Sequence, residues 1–178
     1  MTYQDLIDKY YPPGCARRVI YLRHCSSVSA LATEIAEHKT LPLDLEDIHG
    51  AAMLHDIGIV MTDAPDIDCH GSAPYLLHGL LGAQLIREAR LPENWARVAE
   101  RHTGAGITNE EIDARTLPLP HGDYMPETLL ERLICYADKF YSKSSNMERK
   151  PLERVIASMQ RISQATLDRF MALHAEFS

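Results

Sequence analysis

Apolar residues recur at helical spacing along most of the chain, and no segment alternates as a half-buried strand would. The pattern predicts a short helix over 3–10, stopped by Pro12-Pro13-Gly14, and a long one over about 16–38. Asp44 reads as the N-cap of a third helix, with Asp47 in its first turn and Gly58 as its stop. Helices at about 79–89 and 93–102 follow, split by Leu91-Pro92, and Thr108 with Glu111 makes a capping box for a short one. Pro126 suits the first position of a strong helix running from 127 to about 142. After a polar break at Ser144-Ser145-Asn146, amphipathic helices near 152–160 and 165–177 close the chain. Residues 59–77 carry Pro65, Gly71 and Pro74 without a period, and so long a stretch reads as a loop over a site.

The expected architecture is all-α: one domain over 1–178, with a core at about 16–142 and C-terminal helices at about 150–177 packed on it. A chain of 178 residues with 46% apolar and 24% charged residues can bury a core of that size. Eighteen basic against 25 acidic residues give a formal charge of -7, which disfavours non-specific nucleic-acid binding. Any anionic substrate then needs local positive charge, which metal ions supply. Cys15, Cys25, Cys69 and Cys135 form no CxxC pair and read as reduced thiols. No apolar run reaches the ~18 residues of a membrane span. A soluble cytoplasmic protein is the expectation.

Chemistry enters where ionisable residues interrupt apolar faces. His24 sits in the stripe Ile20, His24, Val28, Leu31, Ile35, and His55 shares a line with Ile48 and Ala52, with Asp56 beside it. His78 leads Gly82, Leu85 and Ile86. His102 follows Trp95, Val98 and Ala99, and Asp138 aligns with Leu130, Ile134 and Tyr141. A lone histidine on such a face is most often a hydrogen-bonded core residue. Repetition on successive helices changes the balance, because buried imidazoles and carboxylates without partners are costly. A metal site answers that cost, and the nitrogen and oxygen donors suit manganese, iron or zinc. His38 and His174 lie near helix ends, His49 is off the His55 line, and His70 and His121 fall in the irregular loops.

The order His24, His55-Asp56, Asp138 resembles the HD superfamily of metal-dependent phosphohydrolases, and His55-Asp56-Ile57-Gly58 gives its HDIG variant. The resemblance covers roughly 20–142 and implies that His24, His55, Asp56 and Asp138 hold one metal. The segments at His78-Gly79 and Arg101-His102 match the intermediate motifs of two-metal members, which implies His78 and His102 at a second ion with Asp56 bridging. These segments are also similar in part to bacterial HD hydrolases that cleave dinucleoside tetraphosphates symmetrically. One departure stands out: many HDIG relatives carry a basic residue soon after the tetrad, and this chain has Ile59-Val60-Met61. Arg101, Lys139 and Lys143 are the candidate replacements for meeting substrate phosphate, each with solvated surface charge as the alternative.

The function so implied is hydrolysis of a phosphate ester or anhydride, of a nucleotide by preference. Asp56 would orient a hydroxide derived from metal-bound water, and His121 is a candidate proton donor to the leaving group. Manganese or iron stands ahead of zinc, cobalt or nickel, with one or two ions. The expected partner is a small phosphorylated substrate, with neither nucleic acid nor membrane, and a homodimer is left open. The alternatives are a di-iron oxygenase on the same fold and a non-catalytic, metal-dependent nucleotide sensor.

Overall fold

The computed structural model describes residues 1–143 and 148–178, and it is helical apart from one two-stranded ribbon. The break expected at Ser144-Ser145-Asn146 lies outside the described residues. The helices are α1 (Tyr3–Tyr10), α2 (Ala16–His38), α3 (Leu45–Leu54), α4 (His78–Glu88), α5 (Glu93–Arg101), α6 (Asn109–Arg115), α7 (Leu129–Asp138), α8 (Leu152–Ile162) and α9 (Gln164–Phe177). α2 packs against α3 and α7, α5 packs against α3, α4 and α7, and α9 packs against α7 and α8. Between them Val28, Leu31, Ile48, Leu54, Ile86, Leu133 and Ile134 are almost fully buried. Tyr136 of α7 meets Phe140, Phe170 and Phe177, which seats α9 on the bundle. Among the described residues no helix is long and apolar enough to cross a membrane.

Three departures from the pattern bear on the site. The third helix ends at Leu54, short of Gly58, and the chain passes through His55 and Asp56 into a 3-10 turn over Ile57–Met61. Gly58 is not a helix stop; it is where the turn meets α4. A Cβ there would lie 2.2 Å from the His78 carbonyl oxygen and 2.3 Å from the Gly82 nitrogen. Both obstacles are backbone, so Gly58→Ala must push α4 away. We expect a loss of about 1–3 kcal/mol, measured by urea unfolding, with weakened metal binding because His78 rides on α4. Unchanged stability would show that the turn and α4 can separate freely.

The strong helix expected over 127–142 is shorter at both ends. The Thr128 hydroxyl accepts from Glu131 N at 3.2 Å, and the Glu131 carboxylate accepts from Thr128 N at 3.2 Å. This reciprocal cap starts α7 at Leu129 and leaves Pro126 outside it. At the other end Tyr141 N donates to Asp138 O, an i to i−3 bond that tightens the chain out of the helix. The loop over 59–77 contains the ribbon, β1 (Asp63–Ala64) paired antiparallel with β2 (Cys69–His70), flanked by 3-10 turns. Strands this short leave no alternation to read in the sequence.

Candidate metal centre

Six buried side chains from five segments converge: His24, His55, Asp56, His78, His102 and Asp138. His24 alone projects from the middle of a helix; the others sit at helix ends. His55 and Asp56 follow α3, His78 opens α4, His102 follows α5, and Asp138 closes α7. Helix ends carry backbone groups with no intrahelical partner, and His55 and His102 use such carbonyls, while His78 takes one in the 3-10 turn before α4 that its own N–H also bonds. His55 Nδ1 bonds Ala52 O at 2.6 Å, His78 Nδ1 bonds Tyr75 O at 2.7 Å, and His102 Nδ1 bonds Ala99 O at 2.8 Å. A carbonyl only accepts, so each Nδ1 carries the hydrogen and each Nε2 faces the cluster.

The Nε2 atoms fall into two sets divided by one carboxylate. Asp56 Oδ2 lies 3.1 Å from His24 Nε2 and 3.0 Å from His55 Nε2. Asp138 Oδ1 completes that set, 3.1 Å from His24 Nε2 and 3.5 Å from His55 Nε2. Asp56 Oδ1 turns the other way, 3.4 Å from His78 Nε2 and 3.3 Å from His102 Nε2, which are 3.1 Å from each other. Ligand atoms bound at ~2.0–2.2 Å around one ion stand roughly this far apart.

The electrostatics test whether a cation fits. Burial pushes His78 down to about 3 and, with His55 adding to it, holds His102 below its ordinary value. Both rings are therefore neutral, and their Nε2 lone pairs point at each other and at a carboxylate oxygen. At His55 burial opposes protonation but the Asp56 carboxylate outweighs it, so that ring is drawn upward. Burial alone would raise Asp56, yet His55 and Lys143 hold it well below the usual carboxylate range. Asp56 Oδ2 has the Lys143 ammonium at 2.8 Å, but among the described residues Oδ1 faces only the two neutral rings. Acceptors crowded against acceptors in a dry interior are unfavourable without a cation between them. The donor set fits a divalent metal, and the nitrogen-bound hydrogens on the outer side of three rings are the partners that metal-ligating histidines use.

Two lysines reach this cluster. Lys143 Nζ is 2.8 Å from Asp56 Oδ2, while Lys139 Nζ is 2.6 Å from Asp138 Oδ2 and 2.9 Å from His102 O. Both border a cleft of about 450 Å³ that reaches the centre at Asp138 and is walled by the ribbon loop at Asp63–Ala64 and by Tyr75, Tyr141 and Lys150. A larger cavity of about 510 Å³, between α2 and the C-terminal helices, contains none of the six. Tyr75 packs on the His78 ring at 4.8 Å. The sequence gives no sign of it or of Lys150, because a single residue in an aperiodic stretch carries no pattern.

Arg101 and His121 do not line the cleft. Arg101 is buried and committed to Asp123 at 2.9 Å, Glu127 at 2.7 Å and the Met125 carbonyl at 3.2 Å. It pins the segment leading into α7, so Arg101→Ala is expected to cost about 1–3 kcal/mol of stability. Metal content should stay the same. Thermal unfolding and metal analysis check this, and an unchanged melting temperature would overturn it. His121 is exposed and bonded to Asp113 at 2.7 Å, and His70 is exposed beside Asp68 at 3.3 Å. His49 bonds Tyr3 and Ser29, away from the cluster.

Comparison with known proteins agrees with this arrangement. Residues 21–142 match the HD domain family. An uncharacterized protein of Methanocaldococcus jannaschii is 38% identical over 137 residues, covering 75% of this chain and 72% of the relative. A tRNA (cytidine(56)-2'-O)-methyltransferase of Picrophilus torridus is 34% identical over 75% of this chain, and one of Thermoplasma volcanium is 29% identical over 82%. The chain spans only 35% and 38% of those two proteins. No solved structure matches. The matched span holds all six converging residues, and the chain belongs to the HD domain family.

Proposed function

We propose that this chain is a hydrolase of phosphate esters or anhydrides, nucleotides above all, working with two divalent transition-metal ions. The observation that carries the reading is the division of Asp56, with Oδ2 facing His24 and His55 and Oδ1 facing His78 and His102. Bound there, the ions would supply a water of lowered pKa and Lewis-acid stabilisation of phosphoryl charge. The protein's part is orientation. Carbonyls of Ala52, Tyr75 and Ala99 fix three imidazoles, Lys139 holds the outer Asp138 oxygen, and Lys143 brings positive charge to the cleft floor. Lys143 thus takes the role of the basic residue missing after Gly58. Nitrogen and oxygen donors without a cysteine favour manganese or iron.

The methyltransferase activity in two relatives' names is that of proteins of which this chain spans about a third. We assign hydrolysis, not methyl transfer, to the shared segment. Metal analysis of protein purified without chelator, followed by a nucleotide and phosphoester panel with manganese, iron and cobalt, tests the reading. Oxygen consumption or methyl transfer without ester hydrolysis would overturn it. His78→Ala should lower the metal content from two ions to one while leaving the His24 set loaded. An unchanged content would mean that the set at His78 and His102 holds no ion.

A further inference from the structure

We propose that Lys150 is a substrate-positioning residue that binds a second anionic group beyond the phosphate at the His/Asp centre, so that the preferred substrate carries consecutive phosphates. This rests on the hydrolase reading above and adds the substrate's charge pattern. Three lysines border the cleft at Asp138, and two are already committed: Lys139 to Asp138, and Lys143 to Asp56. Lys150 has no ion pair or side-chain hydrogen bond among the described residues. Asp63 and Asp66 share the cleft, and neither pairs with it. Its position is nevertheless fixed. Lys150 N donates to Phe140 O at 2.7 Å, which ties it to the turn leaving Asp138, and Pro151 then starts α8. Burial, with Lys139 and Lys143 nearby, holds its ammonium below the ordinary value, and Asp138 opposes this only in part. A half-buried cation beside like charges is favourable when an anion joins it. Lys143 ends at Asp56, on the centre itself, so a monoester phosphate held there leaves Lys150 unused. A second phosphate along the cleft would meet it.

The test measures hydrolysis of p-nitrophenyl phosphate at fixed free manganese, with inorganic phosphate and pyrophosphate as inhibitors. Wild-type protein should be inhibited by pyrophosphate about tenfold more strongly than by phosphate, the worth of one charge-assisted contact. Lys150→Met should remove that preference while leaving phosphate inhibition, kcat for p-nitrophenyl phosphate and the melting temperature unchanged. Lys150→Arg should restore the preference. Equal inhibition by the two anions in the wild type, or a preference that survives Lys150→Met, overturns the assignment. If the wild type hydrolyses no phosphate ester, the hydrolase reading falls by itself. Calorimetric titration of pyrophosphate into manganese-loaded wild-type and Lys150→Met protein then decides the Lys150 site separately, with equal affinities counting against it.

Discussion

Asp56→Ala is expected to empty both halves of the centre at once. Each half keeps its two histidines, but both lose the carboxylate they share, and among the described residues the His78 and His102 set has no other acid. Removing a partner one shell out from a metal typically costs ~10–100-fold in affinity, so loss of the shared ligand should cost more than about 100-fold at each position. Hydrolysis should fall below detection. Asp56→Asn separates charge from shape: the amide keeps one oxygen, so at most one set retains a weakened ion. Metal analysis after gel filtration reads both variants. The bridging assignment fails if Asp56→Ala keeps two ions, or loses only the one held with Asp138. Circular dichroism should show the helices intact, because the remaining histidine rings keep their carbonyl partners.

Chelation should produce the largest change in stability. A ligand present at ~1,000 times its dissociation constant stabilises the folded state by about 4 kcal/mol per site. For a domain near this length each kcal/mol moves the melting temperature by roughly 2–4 °C, so stripping two ions should lower it by about 15–30 °C. Calorimetry with chelator, then with manganese restored, measures it. A shift of equal size in Asp56→Ala would show that the chelator acts elsewhere. The stripped protein should also become acid-sensitive. His78 is held at about 3 when folded, against 6.5 for the free side chain. Its contribution is therefore fully present above pH 6.5 and is lost as the pH falls toward 3, at about 1.4 kcal/mol per unit. His55, drawn upward, binds its proton in both folded and unfolded chains below pH 6.5 and adds no slope there. Urea unfolding at pH 7 and pH 5 should show the loss, and His78→Ala should reduce it to the part that His102, held down in the same sense, contributes.

Much of this molecule was written locally. The apolar repeat placed α1 and α2 at their observed bounds, the pair Thr108 and Glu111 capped α6, and the interruptions at His24, His55, Asp56, His78, His102 and Asp138 marked the residues that converge. These readings succeed because helix geometry and burial follow from the residue and its neighbours three and four away. What tertiary structure decided depends on groups far apart in sequence. Gly58 read as a helix stop because its meeting with His78 and Gly82 is invisible locally. Arg101 read as either a phosphate contact or solvated surface charge, and neither shows that Asp123 and Glu127 gather around it. Which Asp56 oxygen faces which histidines, and which lysine is left without an anion, were fixed only when five segments packed together. A side chain's chemical type is carried by its own codon, but its direction, charge state and partner belong to the whole fold.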